Sequence, residues 1–314
     1  MNLMNRPFRS GICFLLVIGF GFHGSLAHAF DDVRVAVPNR VSVHDLSGRI
    51  LDWTEQELVL ERITPAGTSR IPTPHVADIR YEVLPEHQQA EIELVLGNRQ
   101  KALELFSQAL DQDPRGWVQR ELLARMIILT TKQKAWKQAG TYYRKLLQSH
   151  EIPRHQETIP LLWMADQVPG AIQFQTGQSF LQDELAAVQL IGCSLLIPID
   201  REIPKALEER LNHIGTAESK IIRVLSRAMK ARGRLSSPEL SEAEVVSWER
   251  FLKDLPTPWQ HGPRLVLAQG YLRVDQPGKA LQQASWVVAN SASETLHHYW
   301  GSELVDQALS QLQQ

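Results

Sequence analysis

Two hydrophobic periods divide the chain. From Asp31 to about Glu82, apolar and polar positions alternate in short runs, which predicts β-strands. "VRVAV" sets Val33, Val35 and Val37 against Arg34 and Ala36, and "GRILDWT" and "ELVLERI" follow, parted by the polar turn "EQE". In the last run Leu58, Leu60 and Arg62 fall on one face, and Val59 and Ile63 on the other. "TPAGTS" predicts a reversal, because Pro65 fixes one backbone angle and Gly67 accepts a left-handed one. "RIPTPHV" is excluded from a central strand by Pro72 and Pro74, and "ADIRYEV" closes the set. Four or five short strands predict a small curled sheet or barrel.

After "LPEHQQ" the period lengthens to about 3.6 residues, which predicts helices. In "GNRQKALELFSQALDQDP", Gly97 opens a turn between two helices. Ala102, Phe106 and Ala109 then follow at intervals of five, four and three, with Pro114 beyond the end. "WVQRELLARMIIL" and "KAWKQAGTYYRKLL" form a second pair, in which Ala139, Tyr143 and Leu146 keep that spacing without the opening glycine. "RLVLAQGYLRVDQPGKALQQASWVV" reads as two helices around "DQPG". Leu267, Ala268 and Tyr271 line the first, and Ala280, Ala284 and Val287 the second. The middle is less regular: "IPLLWMADQVPGAIQFQTG" predicts short helices with an extended connection, and "FLQDELAAVQLIGCSLLI" a buried helix. "REIPKALEERLNHI" and "ESKIIRVLSRAMKAR" continue the helical pattern, "GRLSSPEL" interrupts it, and Ser241 with Glu244 three residues on predicts a helix start.

The spacing after Gly97 resembles the second helix of a tetratricopeptide repeat, although Arg99 stands where that family has an aromatic. "GRILDW" and "ELVLERI" resemble an Sm-like or SH3-like module at the head of some exported bacterial proteins. The whole order is similar to uncharacterised exported proteins with this layout, on the strength of "IPLLW", "LIGCSLL" and "GPRLVLAQGY". The fold class expected is α+β, mostly α: a small β-barrel-like module followed by an irregular tetratricopeptide-like α-solenoid. The expected divisions are a signal peptide over 1–29, a β-rich domain over 30–84, helical pairs over 85–150, an irregular helical middle over 151–235 and a C-terminal helical region over 236–314.

The first 29 residues carry the three parts of a secretory signal. Arg6 and Arg9 precede "GICFLLVIGFGF", and Ala27 and Ala29 lie ahead of Phe30. Cleavage after Ala29 implies export to the periplasm, the outside or the envelope, with no transmembrane segment in the mature chain. Without Arg6 and Arg9, 31 basic side chains face 35 acidic ones. That near balance gives no reason to expect nucleic acid as a partner. Cys193 is the only cysteine of the expected mature chain, so no disulfide framework supports it.

"HEIPRH", residues 150–155, is the one stretch near a metalloenzyme signature. A helical zinc site needs histidines four apart, about 40° around the axis, with glutamate after the first. Here Arg154 occupies the second ligand position, His155 lies about 140° away on an ideal helix, and Pro153 breaks the helix. The stretch therefore reads as a polar loop. His297 and His298 are adjacent and diverge on a helix, and His75 has no paired ligand nearby. Cys193 sits in an apolar run that favours a buried, inert thiol. Neither a nucleophile elbow nor a glycine-rich phosphate cradle is present in the sequence. No catalytic residue, metal ligand or cofactor is assigned.

One charge pattern stands out. Lys220, Arg223, Arg227, Lys230 and Arg234 advance by three and four, forming a basic stripe opposite Ile221, Val224, Leu225 and Ala228. It is the candidate docking strip for an anionic envelope component or an acidic partner, set against a solvated face balanced by the glutamates of "ALEERL". The expected function is an exported, non-catalytic scaffold that binds a protein or peptide. The alternatives are a cell-envelope hydrolase or carbohydrate-processing enzyme, and a structural glycan binder using Trp117, Trp163, Trp259 and Trp300.

Overall fold

The computed structural model describes residues 30–36, 43–164, 170–198 and 202–313. The expected signal peptide and Val37 lie outside the described residues. Among those described, five antiparallel strands, β1 (Asp31–Ala36), β2 (Val43–Trp53), β3 (Glu57–Arg62), β4 (Gly67–Pro72) and β5 (Val76–Arg80), form one sheet in the order β4-β3-β2-β1-β5. The alternating pattern places its apolar set on one face: Val33, Ile50, Leu58, Leu60 and Ile71 are buried, whereas Ile63 is exposed. Bulges interrupt the ladder between Ile50 and Asp52 in β2 and between Arg34 and Val35 in β1. They add local twist. Gly48 is required where β2 crosses β3, since a Cβ there would stand 2.3 Å from the Glu61 carbonyl oxygen.

The prolines of "RIPTPHV" act at the sheet's rims. Pro72 ends β4, a 3-10 turn spans Thr73–His75, and β5 starts at once. β4 and β5 are the two edge strands and do not pair with each other. The expected barrel is thus corrected to an open sheet, because its two rims never meet.

The remaining described elements are helical: α1 (Pro85–Val95), α2 (Arg99–Gln112), α3 (Gly116–Lys132), α4 (Trp136–Gln148), α5 (Ala171–Phe180), α6 (Ala186–Leu196), α7 (Lys205–Ile214), α8 (Lys220–Arg234), α9 (Glu242–Trp248), α10 (Arg250–Lys253), α11 (His261–Arg273), α12 (Pro277–Asn290) and α13 (Leu296–Leu312). The helical hairpins α1–α2, α3–α4 and α11–α12 are closed by the same kind of turn. Gly97, Lys134 and Asp275 each take positive φ, at 83°, 58° and 56°. The amide after each donates back to a carbonyl five residues earlier: Asn98 to Glu93 at 2.8 Å, Ala135 to Thr130 at 2.9 Å, Gln276 to Tyr271 at 2.8 Å. Those bonds satisfy carbonyls that a helix end leaves open. Measured from each left-handed residue, the positions five, nine and twelve onward are buried in all three: Ala102, Phe106 and Ala109; Ala139, Tyr143 and Leu146; Ala280, Ala284 and Val287. The second hairpin needs no glycine because Lys134 itself adopts the left-handed conformation.

Helix α3 joins two cores. Trp117, Val118, Leu122 and Met126 pack with the sheet, α1 and α2, while Leu123 and Ile127 belong to the larger core that runs through α4 to α13. The chain also folds back on itself, because α13 touches α3. Arg125 on α3 lies 3.2 Å from Glu91 of α1 and 3.9 Å from Glu294, just ahead of α13.

Candidate functional site

Residues 159–164, "IPLLWM", supply the expected extended connection, and it runs through the helical core. Ile159, Leu161, Leu162, Trp163 and Met164 are all buried. A buried extended backbone needs partners from elsewhere. Leu162 N donates to Ser194 Oγ on α6 at 3.2 Å, and Trp163 O accepts from Gln269 Nε2 on α11 at 3.0 Å. Arg232 of α8, only 2% exposed, donates to Met164 O at 3.0 Å and Ser194 O at 2.7 Å. "IPLLW", "LIGCSLL" and "GPRLVLAQGY", distant in sequence, therefore meet at one place. Gly262 completes the contact, since a Cβ there would sit 1.9 Å from the Trp163 indole.

The loop just before this segment ties the sheet to the helices. Trp117 Nε1 donates to Ile50 O at 3.2 Å, and Arg120, 3% exposed, donates to Trp53 O at 3.0 Å and pairs with Asp52. The guanidinium of Arg154 lies 3.2 Å above the Trp53 ring, and Glu55 N donates to Ile152 O at 3.3 Å. Arg154 Nη1 and His155 Nε2 converge on Glu121 Oε1, at 2.7 and 2.8 Å. His155 holds this position with a left-handed φ of 67°.

The ionisation states follow from those contacts. Burial opposes the charge on His155, but Glu121 and Glu157 outweigh it and raise the imidazole to about 9. Burial likewise pushes Glu121 up, yet His155 and Arg154 bring it down to about 2. Both groups stay charged at neutral pH, far from the matched pKa that proton transfer favours. The two histidines of "HEIPRH" face different carboxylates: His150 Nε2 is 3.7 Å from Asp52 Oδ2, and its Nδ1 accepts from Ile152 N at 3.1 Å. Among the described residues, no group of three or more His, Cys, Asp or Glu side chains is placed to hold a metal ion.

Next to the loop, a shallow depression with room for little more than a water molecule is lined by Glu157, Ile159, Trp163, Leu225, Trp259 and His297. His297 and His261 stack with centroids 5.7 Å apart. Burial, then the neighbouring His261, lowers His297 to about 3, so its ring is neutral. The two nitrogens of His261 lie 2.8 Å from Pro258 O and 3.1 Å from Asn290 O.

The basic stripe lies on α8, with most of its members engaged within the chain. Lys220 pairs with Asp254 at 3.0 Å, Arg234 with Glu244 at 3.1 Å, and Lys230 with Asn212. Arg223 donates to the carbonyls of Ala217 and Glu218, both at 2.7 Å, while Arg227 is exposed. The carboxylates that meet the stripe are not those of "ALEERL": Asp254 faces Lys220 and Glu244 faces Arg234, and Glu209 instead faces Lys205 at 3.9 Å. Trp117, Trp163, Trp259 and Trp300 are 1, 2, 9 and 2% exposed, so none presents an open ring face for a sugar. Cys193 is buried, and desolvation raises its thiol to about 12.

Sequence reasoning overlooked Glu121 and Arg232, and placed Arg154 and His155 in a polar loop without the carboxylate they share. Their partners lie tens of residues away, and no local spacing marks them. For Glu121 and Arg232 the one available signal was charge inside largely apolar helices. No family model, curated protein or solved structure matches this chain.

Proposed function

We propose that the chain is an exported, non-catalytic scaffold whose helical pairs receive a protein or peptide. The reading rests chiefly on the shared turn geometry at Gly97, Lys134 and Asp275. Helical hairpins with one common closure and common buried positions are the building units of tetratricopeptide-like arrays, whose broad surfaces bind partners. The irregular middle is the place where the buried 159–164 segment replaces a helix.

The sheet is a fixed head in this proposal, an Sm- or SH3-like module in open form. Its strand order, with β5 returning beside β1, supports that assignment. β1 begins at Asp31, so cleavage after Ala29 would leave the whole sheet in the mature chain. The ionised His155–Glu121 pair and the buried thiol of Cys193 favour binding over catalysis. No helix among the described residues is long and apolar enough to cross a membrane.

Proximity labelling in the native host, repeated with charge reversals at exposed positions, tests this reading. Recurrent neighbours that depend on the helical surface are expected. A chain recovered only as an isolated monomer, with a random set of neighbours, overturns it.

A further inference from the structure

We infer that His261 is a pH-sensitive clasp. In its doubly protonated form it ties the 3-10 turn Thr257–Gln260 to the last carbonyl of α12, and so steadies the turn that returns the chain to α3. Nothing in this device depends on the scaffold role.

His261 opens α11, with its ring set between two backbone oxygens. Nδ1 lies 2.8 Å from Pro258 O, and Nε2 lies 3.1 Å from Asn290 O. A carbonyl oxygen only accepts, so each of these bonds needs a proton on the nitrogen that faces it. A neutral imidazole carries one ring proton, and the imidazolium carries two. Whichever tautomer the neutral ring adopts, one nitrogen lone pair confronts a carbonyl oxygen and that bond is lost. Asn290 ends α12, where the final carbonyls lack intrahelical amides and the negative end of the helix dipole favours a cation.

The surroundings accept that charge. Neither the 3-10 turn nor the last turn of α12 carries a charged side chain, and α8 contributes the uncharged Leu225. Trp286 of α12 has its ring centroid 5.6 Å away, within cation–π range. His297 of α13 stacks at 5.7 Å; burial, then His261, lowers it to about 3, so it places no second charge there. On α11 itself, Arg264 lies 3.9 Å over the Trp286 ring and opposes the imidazolium, while Glu157 lines the same depression as His261 and favours it. Those two charges act in opposite senses. The pair of carbonyls is then the directional contact that separates the protonated ring from the neutral one.

In the turn that follows Asn290, Glu294 stands 3.9 Å from Arg125 on α3, and α13 begins directly after it. Loss of the His261 proton therefore loosens the chain where its C-terminal helix is set against the N-terminal pairs.

Hydrogen exchange of residues 288–296 in the full chain, corrected for the intrinsic pH dependence of exchange, tests the clasp at about pH 5.5 and 8.5. Between the two, wild type should lose on the order of fivefold more protection than His261→Phe, the size of one net hydrogen bond. His261→Phe keeps an aromatic ring without either bond, and His261→Gln offers an amide donor whose charge never changes, so neither should show a pH step in this segment. Imidazole nitrogen NMR shifts of the wild type need no variant: both His261 nitrogens should carry protons at the lower pH and only one at the higher. Equal loss of protection in wild type and both variants, or a lone pair on either His261 nitrogen at the lower pH, overturns the proposal. Either failure leaves the neighbours recovered by proximity labelling unchanged, so the scaffold reading stands or falls separately.

Discussion

Trp163 lies against Gly262, with no room for even one extra carbon between the extended segment and α11. The two residues are far apart in sequence, yet their contact sets how the middle of the chain meets the C-terminal hairpin. Gly262→Ala should therefore force Trp163 out of its packing and destabilise the fold by about 1–3 kcal/mol, the usual cost of overpacking. Urea denaturation followed by tryptophan fluorescence measures it, and an unchanged midpoint would show that the indole moves freely.

The three equivalent hairpin turns respond to glycine in opposite directions. Lys134 and Asp275 hold left-handed backbone that costs a non-glycine residue roughly 1 kcal/mol. Lys134→Gly and Asp275→Gly should each raise stability slightly, by up to about 0.5 kcal/mol after the entropy cost of glycine is set against the relief. Gly97→Ala should lower it by about 1 kcal/mol. Thermal melts of the three variants give the comparison.

Arg232 is buried among backbone carbonyls that depend on it. Arg232→Met should cost about 3 kcal/mol or more, because the carbonyls of Ser194 and Met164 lose donors inside the core. Arg232→Lys cannot reproduce the two-armed contact and should recover only part of the loss. Hydrogen exchange in 159–164 provides the local readout, with faster exchange expected in both variants.

The link between sheet and helices should depend on pH at both ends of the scale. His155 is raised to about 9 from a usual 6.5, so its stabilisation is complete below pH 6.5 and disappears as pH rises through 9. Glu121 is lowered to about 2, so its share is present above about pH 4.5 and is lost as pH falls toward 2. His87, lowered to about 4 mainly by burial, adds a loss of stability as pH drops from 6.5 to 4. The alkaline arm amounts to ~3 kcal/mol. Denaturant unfolding of wild type and His155→Gln from pH 5 to 10 should converge at the alkaline end, and parallel curves would disprove the assignment.

Cys193 should resist thiol reagents in the folded chain, since it is fully buried and its thiolate is disfavoured. Labelling should begin only as denaturant unfolds the protein. Rapid labelling under native conditions would require α6 to open.

The sequence by itself determined the two periods, and with them which residues become strands and which helices. Alternation placed Leu58 and Leu60 inward, prolines sent β4 and β5 to the rims, and Ser241 capped α9 through the Glu244 amide at 3.3 Å. Each is a short-range steric or hydrogen-bonding rule that neighbours in the chain can satisfy. Tertiary structure alone decided that the sheet stays open, that α13 reaches α3, and that "HEIPRH" serves as a joint between sheet and helices. It also set Asp254 and Glu244, outside "ALEERL", against Lys220 and Arg234 of the basic stripe. Those outcomes depend on charges and backbone groups seeking partners across many intervening residues. Periodicity encodes which face is buried, but not which distant carboxylate or carbonyl will meet it.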